Sequence, residues 1–123
     1  RILGIDTTTK NFCLGLYDEG KIYEYHLELG TKLSSQITIH ISRALKALGW
    51  QFKDIDYLAC GLGPGSFTGT RVGIATIKGL SLAINKPIIG VPSLDILAMN
   101  AGETGKLIIT TVDAKGSRVF RYL

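Results

Sequence analysis

Gly63-Pro64-Gly65-Ser66-Phe67-Thr68-Gly69-Thr70-Arg71-Val72-Gly73 follows the apolar run Tyr57-Leu58-Ala59-Cys60 and precedes a long apolar segment. The order reads as a strand, a glycine loop and the start of a helix. Glycine permits positive φ and close backbone approach. A helix start presents N–H groups without intrahelical partners and the positive end of the dipole. Such a loop can receive an anion, or it can make a tight, buried connection. It is not a Walker loop, because no Gly-x-x-x-x-Gly-Lys-Ser/Thr spacing occurs. It is also not Gly-x-Gly-x-x-Gly followed by an acidic ribose ligand.

Upstream, Ile2 to Thr8 is a mostly apolar strand ending in Asp6 and threonines. Phe12 to Tyr17 and Lys21 to Leu29 read as two more strands, joined by Asp18-Glu19-Gly20 as a turn. Leu33, Ile37, Ile41, Ala44, Leu45 and Leu48 recur at helical spacing, and Gly49 supplies a stop. Tyr57 to Leu62 is a buried strand. Thr68 or Thr70 can cap the helix after the loop, which runs to about Ile84 and is ended by Asn85 and Pro87. Ile88 to Val91 is a short strand, and Ser93 can cap a helix reaching about Asn100. Lys106 to Val112 and Arg118 to Leu123 read as a further hairpin. The pattern β-β-β-α-β-α-β-α predicts an α/β fold, a mixed sheet with helices on both faces.

The composition fits one domain. The chain has 123 residues, 46% of them hydrophobic, enough for a sizeable core and too many for a disordered chain. The net charge of +4 admits an RNA or acidic-protein partner, but Lys and Arg are scattered and form no run. Cys13 and Cys60 sit in apolar runs and read as buried free thiols of a reducing cytosol. We expect no signal segment, because the chain opens directly on a strand pattern. Val72 to Ile84 carries Lys78 and is too short to span a bilayer.

Four stretches together resemble the TsaB family, the bacterial tRNA threonylcarbamoyladenosine biosynthesis proteins. They are the glycine string above, Ile2-Leu3-Gly4-Ile5-Asp6-Thr7-Thr8-Thr9, Pro87-Ile88-Ile89-Gly90-Val91-Pro92-Ser93-Leu94, and Val112-Asp113-Ala114-Lys115. The resemblance implies a ribonuclease-H-like, actin-type lobe with strand order 3-2-1-4-5. Family members are markedly longer. We therefore expect a trimmed or truncated chain, with residues 1–103 as the first lobe and 104–123 as the opening hairpin of a second. An internal repeat agrees: Leu3-Gly4-Ile5-Asp6-Thr7 and Thr110-Thr111-Val112-Asp113-Ala114 both read as strand, Asp, turn, strand.

An actin-type nucleotide site needs an Asp at the end of the first strand of each lobe, to organise Mg²⁺ and phosphate. Asp6 and Asp113 occupy those places. The phosphate turns also want glycine after each Asp, whereas Thr7-Thr8-Thr9 and Ala114-Lys115 follow here. We read both positions as vestigial and expect no cofactor. The related catalytic protein TsaD carries two histidines four residues apart on the helix after its third strand. Aligning the helix start puts Ser34 and Thr38 at those places, neither of them a ligand of that kind. His40 has no partner one turn away, and His26 is read as lying in a strand without a nearby carboxylate pair. No catalytic residue and no metal site is predicted, and no Ser-His-Asp or Cys-His arrangement can be argued.

The helix after the glycine loop is apolar almost all round, as a helix buried on both faces would be. Val72, Ile77 and Leu80 are assigned to the sheet. Ile74, Ala75, Lys78 and Leu82 are assigned to an exposed face that packs on a partner. The loop itself is expected to be a structural turn, with Gly65 and Gly69 in conformations closed to residues bearing a Cβ. What the resemblance implies is a non-catalytic scaffold that binds TsaD, forms a homodimer when TsaD is absent and meets tRNA only through the complex. It also implies a cytoplasmic setting and no membrane contact. The alternatives are an actin-type ATP-dependent phosphotransferase and an RNA-binding module, the latter carried thinly by Lys21, Tyr23 and Tyr25.

Overall fold

The computed structural model describes residues 1–122. The chain opens with three antiparallel strands, β1 (Ile2–Asp6), β2 (Asn11–Asp18) and β3 (Lys21–Glu28). Glu19 and Gly20, with φ of 47° and 84°, turn the β2–β3 hairpin where Asp18 pairs with Lys21. Two consecutive positive φ values match the twist of a tight hairpin. Helix α1 (Leu33–Ala47) follows, then β4 (Tyr57–Gly61), α2 (Phe67–Ile84), β5 (Ile88–Val91) and α3 (Ser93–Met99). A separate two-stranded sheet, β6 (Thr110–Lys115) and β7 (Arg118–Tyr122), closes the described chain. The predicted last strand ends on Leu123, which lies outside the described residues.

The main sheet has the order β3-β2-β1-β4-β5, with β4 parallel to both β1 and β5. This is the mixed sheet and strand order expected. The core lies on one sheet face. Leu3 and Ile5 of β1, Phe12, Leu14 and Leu16 of β2, and Leu58 and Cys60 of β4 point into it at period two. Ile37, Ile41, Ala44 and Leu45 of α1 and Ile77 of α2 meet them. On the other face the register sets Gly15, Gly4 and Ala59 side by side. There Ile96 of α3 shares a cavity of about 240 Å³ with Gly4, Cys13, Gly15 and Ala59.

Three local expectations need correction. The cap of α2 is Ser66, not Thr68 or Thr70: its Oγ accepts the Gly69 N–H at 3.1 Å. Ser66 is the last residue with extended ψ, so its hydroxyl reaches the third helical N–H. Ser93 does not cap α3, since Pro92 holds that position. Instead Ser93 donates its N–H to the Gly63 carbonyl and its hydroxyl to Thr8 Oγ1. Strand β6 begins at Thr110, not Lys106.

Candidate functional site

The site is built where β1 ends against the glycine loop. Asp6 Oδ1 accepts both the N–H and the hydroxyl of Thr8, at 2.7 and 2.6 Å. This Asx-type closure turns the chain and leaves Thr7 and Thr8 buried beneath the loop. Thr7 Oγ1 donates to the Gly69 carbonyl at 2.6 Å, and Thr8 accepts the Ser66 N–H at its carbonyl, also at 2.6 Å.

Four glycines, each four residues from the next, make this approach possible. A Cβ at Gly61 would lie 2.8 Å from the Asp6 carboxyl carbon. One at Gly65 would overlap the Thr8 carbonyl, one at Gly69 the Thr7 carbonyl, and one at Gly73 the Thr7 hydroxyl. The expectation for Gly65 and Gly69 is thus corrected in its cause. Neither has positive φ; within the loop only Gly63 does, at 87°. The two glycines are required by contact with Thr8 and Thr7, just past the end of β1, not by backbone conformation.

The second Asp repeats the first in miniature. Asp113 Oδ1 accepts the Lys115 N–H at 2.8 Å, the same i to i+2 closure that Asp6 makes with Thr8. The two carboxylates are not brought to one cavity. Asp113, Ala114 and Lys115 face Gly65, Ser66 and Thr68 across a space of about 670 Å³. Asp6 instead lines the smaller cavity on the sheet's second face. Ser34, at one of the histidine places, lines a groove of about 500 Å³ with Thr7, Thr9, Lys10 and Ser66. That groove carries hydroxyls and one ammonium, but no carboxylate or imidazole.

One arrangement escaped the sequence reading, and it corrects the expectation that His26 has no carboxylate nearby. Cys13 Sγ lies 3.3 Å from His26 Nδ1, and His26 Nε2 lies 3.8 Å from a Glu24 oxygen. Cys13 and His26 are direct cross-strand partners, so hairpin register, not local spacing, was the signal that could have found them. Burial, and then the Asp6 and Glu24 carboxylates, push the Cys13 thiol up. That is opposite to what a thiolate nucleophile requires. Cys60 is pushed up to about 11 by burial and by Asp6. A folded pKa above the unfolded 9.0 means that its stabilisation is complete below pH 9 and lost as pH rises to about 11. Stability measured by urea unfolding should fall across that window, and Cys60→Ala should remove that part of the slope.

On α2, Ile77 is buried and Val72, Leu80 and Ile84 pack against the core. Ile74 does so too, which corrects its assignment to the outward face. At about 100° per residue it sits only about 60° round the helix from Ile77. Ala75, Lys78 and Leu82 are exposed, Leu82 to 85%. At the start of the helix the Arg71 guanidinium lies 3.9 Å over the exposed Phe67 ring.

Comparison with known proteins supplies the family. The model for TsaD, tRNA N6-adenosine threonylcarbamoyltransferase, matches residues 28–122. The TsaB protein of Escherichia coli (strain K12), a tRNA threonylcarbamoyladenosine biosynthesis protein, is 36% identical over 98% of this chain and 53% of its own length. The Buchnera aphidicola (subsp. Schizaphis graminum) TsaB is 33% identical over 97% of this chain and 58% of its own. The structure of YeaZ from Pseudomonas aeruginosa superposes with a TM-score of 0.85 at 28% identity, covering 96% of this chain and 56% of that one. The chain therefore spans about half the length of the curated relatives it matches. Among the described residues no helix is long and apolar enough to cross a membrane. Together with the strand order and the glycine loop, these matches assign the chain to the TsaB family, among the proteins that the TsaD model describes.

Proposed function

We propose that this chain acts in tRNA threonylcarbamoyladenosine formation as a non-catalytic subunit that docks a TsaD-type catalytic protein through α2. The observation that carries this reading is the use made of the glycines. Gly61, Gly65, Gly69 and Gly73 bring the backbone close to Asp6, Thr7 and Thr8 of the same chain. Close approach in a phosphate loop serves the phosphate; here it is taken up by Asp6 at the end of β1 and by Thr7 and Thr8 after it. The Asp6 oxygen that would orient a metal already accepts two hydrogen bonds from Thr8. The exposed Ala75–Lys78–Leu82 stripe supplies the docking surface, and weak self-association through it follows when the partner is absent. Transfer RNA would be met through the complex. The free thiols of Cys13 and Cys60 fit a reducing cytoplasm.

The space between the glycine loop and the Asp113 turn favours a second reading, an actin-type nucleotide site. Calorimetry with ATP and Mg²⁺ separates the two. We expect no heat of binding at micromolar protein. Micromolar affinity abolished by Asp6→Ala would establish the nucleotide reading instead.

A further inference from the structure

A row of ligating and charged side chains crosses the sheet face away from α1 and α2. Cys13 stands opposite His26 across the β2–β3 pair and opposite Asp6 across the β1–β2 pair. Residues directly opposite share a face. Glu24, two residues before His26, joins them at period two. Phe12, Leu14 and Leu16 of β2 point the other way, into the core. Asp6, Cys13, Glu24 and His26 all line the cavity of about 240 Å³, together with Gly4, Gly15 and Ala59, which do little to fill it. A Cβ added at Gly15 would meet nothing within 4 Å.

We infer that Cys13 and His26 form a two-ligand site for a zinc-class cation, a borderline-soft divalent ion held by one thiolate and one imidazole. A sulfur about 2.3 Å and a nitrogen about 2.0–2.1 Å from a tetrahedral zinc lie about 3.6 Å from each other. Cys13 Sγ and His26 Nδ1 are 3.3 Å apart, so a small rotation of either side chain admits the ion. While Nδ1 faces the sulfur, His26 Nε2 lies 3.8 Å from a Glu24 oxygen. A carboxylate behind the second ring nitrogen is the usual companion of a metal-bound histidine, where it fixes the tautomer and the ring orientation. Asp6 adds negative charge without ligating, because its Oδ1 already accepts two hydrogen bonds from Thr8. Thiolate and imidazole favour zinc over Mg²⁺ and Ca²⁺, which take oxygen. On binding, the Cys13 S–H bond breaks, its proton passes to solvent and a zinc–sulfur bond forms, with no change of oxidation state. Among the described residues no three Cys, His, Asp or Glu groups are gathered to hold a metal. The chain therefore supplies two ligands, and the remaining positions are open to water or to a donor atom of a molecule that covers this face. The site is independent of the docking reading, since it lies on the opposite side of the sheet.

Co²⁺, a spectroscopic stand-in for Zn²⁺, is titrated into the reduced protein, and Zn²⁺ affinity is read by competition with a chromophoric chelator. We expect one equivalent of Co²⁺ to give a sulfur-to-cobalt charge-transfer band in the near ultraviolet. Zn²⁺ should bind with a dissociation constant on the order of micromolar, far weaker than at a four-ligand structural site. Cys13→Ser should abolish the band, and His26→Ala should weaken Zn²⁺ binding at least about tenfold. Cys60→Ala should change neither, because Cys60 sits in the core. Cys13 is half-buried and His26 exposed, so both variants should fold, which circular dichroism checks. Nitrogen-15 spectra of the imidazoles read the site without any substitution: Zn²⁺ should shift His26 Nδ1 and leave His40 unmoved. No Zn²⁺ bound by about 100 µM overturns the inference. A band that survives Cys13→Ser, or a shift at His40 in place of His26, overturns it by putting the ion elsewhere. An affinity indifferent to His26→Ala overturns it too, by leaving a single thiol as the ligand.

Discussion

Gly73→Ala should destabilise the fold by about 3 kcal/mol, a large share of a small domain's stability, through one added methyl group. The methyl would overlap the Thr7 hydroxyl, which is fixed by its hydrogen bond to the Gly69 carbonyl. Thr7 is 1% exposed and has nowhere to move. Gly69→Ala should cost at least as much, because its methyl would meet the Thr7 carbonyl, which no side-chain change can remove. The contrast gives the test. In urea unfolding, Thr7→Ala should recover part of the stability lost in Gly73→Ala, since it deletes the clashing oxygen. It should recover none in Gly69→Ala. Equal rescue of both variants, or a Gly73→Ala protein as stable as the parent, would show that the loop does not rest on Thr7 as described.

The same residues show how far the sequence could be read. The order of strands in the sheet comes only with the family resemblance, whereas the order of elements along the chain, the β2–β3 turn and the span of α2 follow from periodicity and turn residues, which are local signals. The glycine loop is legible as strand, loop and helix for the same reason. What the four-residue glycine spacing is for is not legible locally. Its partners, Asp6, Thr7 and Thr8, lie some sixty residues earlier in the chain. The Cys13–His26 contact is hidden in the same way, by pairing across a hairpin. Ser66 is chosen over Thr68 as the cap because the helix begins two residues earlier than its first threonine implies. The misplacement of Ile74 has a different origin. On a helix apolar nearly all round, composition does not mark the boundary between faces, and only packing against Ile77 and the core decides it.

Ala75→Glu should leave the fold intact and weaken the complex with the TsaD-type protein by at least about 2 kcal/mol, near thirtyfold. Ala75 is exposed and lies on the opposite side of α2 from the buried Ile77, so the added carboxylate stays in water in the free protein. In the complex it would be driven into the apolar contact beside Leu82, where an unpaired charge is costly. Ile74→Ala is the matched control. Ile74 packs against the core, so its truncation should lower thermal stability while leaving affinity at low temperature little changed. Melting followed by circular dichroism, with calorimetry at a temperature where both variants are folded, reads both quantities. If Ala75→Glu unfolds the protein, Ala75 belongs to the core. If it stays folded and binds as tightly as the parent, the docking surface is not on this side of α2.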